Sequence, residues 1–305
     1  MKPTRYPAIL LALLMIAFGC GEPTAQEVLE KVQATYRDLE TYRSEGTVVF
    51  EGSINGEETT QETSFRMLLK KPNLYLISWS GRHEGEAMEG VIWNDCTQAY
   101  FYKGVQSPDV DRKYYYKARD DGSAIASATG VSHGAASTIP PLFFPEFSAW
   151  GRWGVDYANG ARIDRVEEVQ GEECYVITGE SAASKEETYW ISKSRHFIVK
   201  HYYTYDQPEG AAPVPEIDVE MMAKMMGRDT SDERVLKVKK TIDEAEKLMK
   251  STVIKGSWTE THEKRSTPKL EKAEFQFNPP KDAILKESVW DDIPAEGPER
   301  NPEDK

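Results

Sequence analysis

Apolar positions recur along the chain with two different periods, and each change of period marks a boundary between elements. Between Thr24 and Leu39 the residues Val28, Leu29, Val32, Tyr36 and Leu39 fall three and four apart, which makes one face of a helix. Thr24 and Glu27 form the reciprocal signature of a capped N-terminus, and the spacing predicts a helix from Thr24 to about Tyr42–Gly46. The period then shortens to that of strands. Runs at Thr47–Phe50, Ser64–Leu69, Leu74–Trp79, Met88–Trp93 and Ala99–Tyr102 are rich in branched and aromatic residues, which fit a pleated surface. Asn55-Gly56 is a strong hairpin signal, and Lys71-Pro72-Asn73 marks another turn. A second series, Ile163–Val169, Cys174–Thr178, Thr188–Ile191 and Phe197–Tyr205, is separated by short polar links. Links this short join only antiparallel neighbours, so residues 161–206 read as an antiparallel meander.

Three stretches interrupt the strand pattern. In Asp109–Phe147, Ser123–Thr129 reads as a short helix of small residues. The prolines of Thr138–Phe147 bar that apolar segment from a central strand, so it reads as a cap over one mouth of a curved sheet. The excursion 207–250 holds a Met-rich helix at Ile217–Met226. It also holds a second capping box at Thr230–Glu233, followed by Val235, Val238, Ile242, Ala245 and Met249 at heptad spacing. Two heptads do not sustain a coiled coil, so a helical hairpin packed on the protein's own body is expected. Thr252–Thr261 and Ala273–Phe277 return to a strand pattern, Asn278-Pro279-Pro280 closes the fold, and residues 287–305 read as an acidic, disordered tail.

The strands are apolar on both faces. Leu74 and Leu76 point one way, and Tyr75, Ile77 and Trp79 the other. An antiparallel sheet with one wet face alternates more cleanly, so both faces are expected to be covered, or one to line an apolar cavity.

The N-terminus adds an address. Lys2 and Arg5 precede an apolar Ala8–Phe18, then Gly19-Cys20, which is the pattern of a secretory leader with a small residue before the cut. A cysteine directly after that residue resembles the bacterial lipobox, with Cys20 as the acylated residue. Ala17 and Phe18 depart from that motif, and ordinary cleavage near Gly21 is the other reading. Gly21 is not the aspartate associated with inner-membrane retention, so the outer membrane, facing the periplasm, is favoured. The formal net charge of −13 falls to about −15 once the leader is removed, with 36 basic residues against 51 acidic ones. That balance argues against nucleic acid and against a polybasic membrane patch. The oxidising compartment permits a disulfide between Cys96 and Cys174, the alternative being two free thiols on separate strands. Neither has a Cys or His at metal-ligand spacing, and no metal or cofactor is expected.

Four motifs then fall in a familiar order. They are the capped helix leading into the first strand, Lys70-Lys-Pro-Asn-Leu-Tyr75, Asn94–Tyr102 (NDCTQAYFY), and Phe275-Gln-Phe-Asn-Pro-Pro-Lys-Asp282. In this order and spacing the chain resembles the LolA/LolB-like superfamily of periplasmic lipoprotein carriers and outer-membrane lipoprotein-sorting proteins, over about Thr24–Ala283 without the excursion. The resemblance implies an α+β fold, an unclosed, strongly curved antiparallel half-barrel with an N-terminal helix and helical insertions covering its concave side. It also implies an apolar cavity for acyl chains and a non-enzymatic role. The implied organisation is a leader at 1–19, a lipidated tether at 20–23 and one domain at 24–286 containing the excursion 207–250. The candidate cavity walls are Phe65, Met67, Ile77, Trp79, Trp93, Tyr100, Tyr102, Leu142 and Phe143, subject to strand register. Family carriers often place an arginine before the turn proline, where it contributes to a closed lid. Lys71 stands there, and a lysine does not reproduce a guanidinium fork. The implied partners are a lipid or acylated protein and the membrane holding the anchor; the oligomeric state is not implied.

Two other classes stay open. Gly130-Val-Ser132-His-Gly134 matches the nucleophile elbow of serine esterases, with Ser132 as nucleophile and His196, His201 or His262 as base. The elbow requires a buried strand before it and a helix after it, and the sequence provides neither. His196 and His201 fall on opposite faces of a strand pattern. A structural or regulatory lipoprotein with its concave face filled by its own side chains has the same sequence signature as a carrier.

Overall fold

The computed structural model describes residues 22–83, 86–107, 110–132, 134–147, 159–181, 184–210, 218–226 and 228–286. The expected N-terminal helix is present as α1 (Ala25–Asp38). The Thr24 hydroxyl accepts from Glu27 N at 3.2 Å and the Glu27 carboxylate accepts from Thr24 N at 2.8 Å. The helix ends earlier than its spacing predicts. Leu39 is extended, and Tyr42 already belongs to the first strand, where alternation places its ring on the buried face.

Five strands follow as a meander: β1 (Thr41–Ile54), β2 (Glu57–Lys70), β3 (Leu74–His83), β4 (Glu86–Asn94) and β5 (Ala99–Ser107). Asn55 and Gly56 make the first turn with φ of 52° and 85°, the positive-φ pair that a two-residue hairpin requires. A sixth strand, β6 (Val110–Lys117), continues the sheet where the sequence reading expected a break. Helix α2 (Asp121–Val131), the single turn α3 (Pro140–Phe143) and a 3₁₀ turn at Pro145–Phe147 come next. The second meander is β7 (Asn159–Val169), β8 (Glu172–Glu180), β9 (Glu187–Ser192) and β10 (Ile198–Gln207). After helices α4 (Val219–Met226) and α5 (Glu233–Ser251), strand β11 (Ile254–Ser266) enters between β1 and β10 and joins the two meanders. The result is one open, curved, 12-stranded sheet in the order β12-β6-β5-β4-β3-β2-β1-β11-β10-β9-β8-β7.

The C-terminus differs from the expectation. Ala273–Phe277 is not a strand; a 3₁₀ turn occupies Lys272–Phe275. The last strand, β12 (Ile284–Lys286), lies beyond the double proline and pairs parallel with β6. The segment between β11 and β12 crosses the outer face of the sheet. Leu270 and Phe275 pack on Leu68 and Leu74, and Phe277 packs on Trp93 and Tyr102. Helix α5 is capped by Asp232, which accepts from Arg234 N, rather than by Thr230. Helices α4 and α5 bury Met222, Ala223, Val235 and Val238 against one another. The excursion is tied to its root by Gln207, whose amide donates to Met249 O and Thr252 O at 3.0 and 3.1 Å.

The concave side is therefore covered by α1, α2 and the stretch around α3, not by α4 and α5. Val28, Leu29, Val32 and Tyr36 of α1 enter the main core with inner-face residues of both meanders. The Tyr36 hydroxyl accepts from Ile198 N at 3.0 Å, and its ring stacks on Phe197 at 5.7 Å. Large rings also lie across glycines on the neighbouring strand. A Cβ added to Gly90 would sit 2.1 Å from Trp79 Cζ2 and 2.4 Å from its Cε2.

Because the indole occupies the space a side chain at 90 would take, Gly90→Ala is expected to destabilise the protein by about 1–3 kcal/mol through overpacking. Urea unfolding followed by tryptophan fluorescence measures this. Unchanged stability would mean that Trp79 is not seated over β4.

Candidate functional site

The inner face carries two layers of chemistry. The first is apolar. Phe65 and Met67 of β2 and Ile77 and Trp79 of β3 are all at most 4% exposed, and they join Leu142 and Phe143 in the main core. Six of the nine candidate wall residues thus share one core, four of them on the sheet, while Leu142 and Phe143 belong to the segment packed on it rather than to a cavity wall. The other three do not. Trp93, Tyr100 and Tyr102 point to the outer face, where Phe277 and Ala283 of the C-terminal segment cover them. Strict alternation accounts for the split: Ile92 and Phe101, their chain neighbours, are the inward residues of β4 and β5.

The apolar wall is occupied by the chain itself. Residues 134–147 run across it as a plug, with Ile139, Phe143 and Phe144 fully buried. The Phe143 and Phe144 rings meet edge to face at 4.7 Å, and Phe144 reaches Tyr75 at 6.2 Å. The Lys71 ammonium donates to Arg37 O, in the last turn of α1, and stands 5.3 Å from the centre of the Phe143 ring. It therefore bridges a helix C-terminus, which favours a cation, and an aromatic face of the plug.

The second layer is a buried polar row that the sequence reading did not assemble. Ser44, Glu260, His262, His201 and Glu187 come from β1, β11, β10 and β9, and all are at most 9% exposed. Register brings them together as direct and diagonal neighbours: Glu260 pairs with His201, His262 pairs with Gly46, two positions from Ser44, and Glu187 pairs with Tyr203, two positions from His201. A bulge between Ile198 and Lys200 keeps Ile198 and His201 both on the inner face.

The contacts form a continuous line. Ser44 Oγ is 2.7 Å from His262 Nδ1, and His262 Nε2 is 3.0 Å from Glu260 Oε1. Glu260 Oε2 accepts from the Thr138 hydroxyl of the plug and lies 4.0 Å from His201 Nδ1. His201 Nε2 is 2.8 Å from Glu187 Oε1, which also accepts from the Tyr189 hydroxyl at 2.9 Å. The Tyr189 ring stacks flat on the His201 imidazole at 4.1 Å. Burial pushes the Glu187 carboxyl up. The hydrogen bond and charge of His201, with the Ser181 and Tyr189 hydroxyls, outweigh that effect and hold it below its ordinary value. The signal for this row is the alternation Trp258, Glu260, His262 in the WTETH stretch, which places polar groups on the face that carries Trp258.

Ser132 does not sit on an elbow. It follows helix α2, and its buried hydroxyl is taken up by backbone, 3.4 Å from Thr129 O and accepting from Ala136 N at 3.3 Å. His196 lies in the turn before β10 with φ of 54°, not on the strand with His201. Cys96 and Cys174 are both free thiols, the first exposed in the β4–β5 turn and the second buried on β8, with six strands between β4 and β8. The disulfide is therefore not formed. Among the described residues no cluster of three or more His, Cys, Asp or Glu is arranged to hold a metal ion. Cys20 lies outside the described residues, as does the tail at 287–305.

No family model matches the sequence, and no curated protein matches it. Solved structures resemble it in fold. One is an outer membrane lipoprotein-sorting protein domain from Vibrio parahaemolyticus, 11% identical over 82% of this chain and 97% of that one, with a TM-score of 0.32. Another is a DUF1329 family protein from Desulfovibrio piger, 10% identical over 83% and 95%, also at 0.32. A third is a LolA superfamily protein from Nitrosomonas europaea, 11% identical over 84% and 99%, at 0.25. TM-scores of this size carry no argument about function, which rests on the chain's own geometry.

The depressed Glu187 carboxyl gives the site a pH signature. A lowered folded-state pKa contributes stability above the ordinary value of 4.5, and that contribution is lost as the pH falls below it. Glu187→Gln is expected to cost about 1–3 kcal/mol at pH 7, and the gap from wild type should narrow as the pH is lowered through about 4.5 towards 3. Urea midpoints across that range check it. A gap that does not change with pH would show that the carboxylate is not held by this row.

Proposed function

We propose that this protein is a bacterial envelope lipoprotein, tethered through Cys20 to the outer membrane on its periplasmic side, that holds an apolar chain between its concave sheet and the plug. The plug supports this reading. Residues 134–147 are a proline-bearing segment of the chain that joins the same core cluster as Phe65, Met67, Ile77 and Trp79 and meets the sheet through Phe144 on Tyr75 and Thr138 on Glu260. Sites for apolar ligands are lined in this way. The occupant expected is a lipid or the acyl chain of an acylated protein. Burying ~10 methylenes at about 0.8 kcal/mol each yields roughly 8 kcal/mol before the costs of ordering and of lifting the plug. The Thr138 hydroxyl ties the cover to Glu260, and the Lys71 ammonium, itself bonded to Arg37 O of α1, stands against the Phe143 ring. The 24–286 span forms the ligand-holding body, and the role is binding rather than catalysis. A structural lipoprotein with a permanently closed plug is the second reading, favoured by the full burial of Phe143 and Phe144.

Two experiments address the proposal. Cys20→Ser is expected to move the protein from the membrane to the soluble fraction of fractionated cells. A single chain anchors only marginally, so mass spectrometry of the wild-type N-terminus should show more than one acyl group; an unmodified N-terminus would rule out the tether. For the cavity, an environment-sensitive alkyl probe is expected to bind the delipidated protein. Phe143→Ala should tighten that binding by about tenfold, because it raises the open fraction. Circular dichroism checks that the sheet survives the roughly 3–5 kcal/mol expected loss. A probe that binds neither form selects the closed structural protein.

A further inference from the structure

The polar row bears on what the proposed cavity takes. A site for alkyl chains alone needs no ionisable group on its floor, yet here two carboxylates and two imidazoles cross it. They are not sealed from the plug. Thr138, itself 4% exposed, points its hydroxyl between Glu260 Oε2 and His201 Nδ1, 3.5 Å from the latter. It is the plug's own hydrogen-bond donor, seated where the sheet offers an acceptor. The neighbouring oxygen, Glu260 Oε1, is buried without a hydrogen bond, and so is His262 Nε2. They lie 3.0 Å apart, within ion-pair range but without hydrogen-bond geometry. An orphaned buried carboxylate oxygen beside one satisfied by a displaceable hydroxyl marks a position for a stronger donor.

The charge of the row narrows the chemistry. It holds two carboxylates, two imidazoles and no Lys or Arg, and Arg265, the cross-strand partner of Ser44, is engaged by Gln170 and Glu172. The row therefore does not suit a fatty-acid carboxylate or a phosphate. A cation carrying several N–H donors meets Glu260 at both oxygens. The Tyr189 and Tyr203 rings on either side of His201 add aromatic faces to the same surroundings.

We propose that the concave site is selective for amphiphiles with a cationic amine at the polar end, whose N–H groups replace the Thr138 hydroxyl on Glu260 when the plug lifts. The inference rests on the lipid-holding reading above and adds the head group to it. The alkyl chain takes the place of Ile139, Leu142, Phe143 and Phe144, and the ammonium takes the place of Thr138, so the plug acts as an internal copy of the ligand.

The test is displacement of the alkyl probe from the full-length, delipidated protein by dodecylamine, dodecanol and dodecanoate at one pH and salt concentration. Dodecylamine is expected to bind about tenfold more tightly than dodecanoate, with dodecanol between them. Glu260→Gln should bring the amine and the carboxylate to within about threefold of each other. That variant changes a net charge of −13 by a single unit, so the loss would not reflect general attraction to an acidic protein. Thr138→Val removes the internal donor without adding charge and should tighten dodecylamine binding by about threefold or more. It also decides the matter if Glu260→Gln does not fold, since an unchanged dodecylamine affinity in Thr138→Val overturns the proposal. Equal displacement by all three compounds from the wild type overturns the head-group selectivity and leaves the lipid-holding reading intact. Displacement by none of them removes both.

Discussion

Strands β2–β5 of the open 12-stranded sheet carry apolar residues on both faces, and a single chain must cover both. That constraint organises the molecule. On the outer face the covering is done by the segment after β11, which carries Leu270, Phe275 and Phe277 across β2–β5. On the inner face it is shared by α1 and the plug. The two covers differ in kind. The outer one ends in a strand that joins the sheet beside β6, so its removal would cost backbone pairing. The plug contributes no strand. It rests on side chains, and it lies between two elements, α2 and β7, that the sheet and core hold independently. Of the two, the plug is the cover whose lifting would break no strand pairing.

What was legible in the sequence was what is decided locally. The Thr24 cap, the Asn55-Gly56 turn and the meanders follow from neighbours a few residues apart, and they stand where the patterns put them. Strand β6 was missed because its Arg112-Lys113-Tyr114-Tyr115-Tyr116 run has no apolar alternation; it is a strand because β5 and β12 flank it. β12 is three residues long and is defined wholly by a partner some 170 positions earlier. The candidate wall divided for a related reason. Trp79 and Trp93 look equivalent in sequence, and only register sends one to the inner core and the other beneath Phe277. The polar row was the least legible feature. Glu187, His201 and Glu260 are unremarkable in an acidic chain until pairing sets them on one face as direct and diagonal neighbours.

That row is also the costliest feature of the core. Carboxylates and imidazoles removed from water lose hydration that their mutual attraction only partly restores, and apolar residues of similar volume would pack there at less cost. Its contribution is direction rather than strength. Apolar contacts between the plug and the wall are non-directional and tolerate sliding, whereas the Thr138 hydroxyl fits at one place on Glu260. That hydrogen bond gives the cover a register, and the apolar contacts supply most of its adhesion.

This division has a consequence for exchange. Apolar surface left by the plug can be covered again, nearly like for like, by any alkyl chain of suitable length, because that term depends on area and not on identity. The two polar contacts behave differently. At Lys71 a departing plug takes away only the Phe143 ring, while the ammonium keeps its bond to Arg37 O of α1 in an exposed setting. At Thr138 the site is buried, and a departing hydroxyl leaves a carboxylate that water or a ligand must satisfy. An incoming chain with no donor at its end would repay the area and leave Glu260 short of a partner. In the proposed exchange, discrimination among ligands of equal length would therefore be concentrated at a single buried oxygen pair, while affinity would be spread over the whole wall.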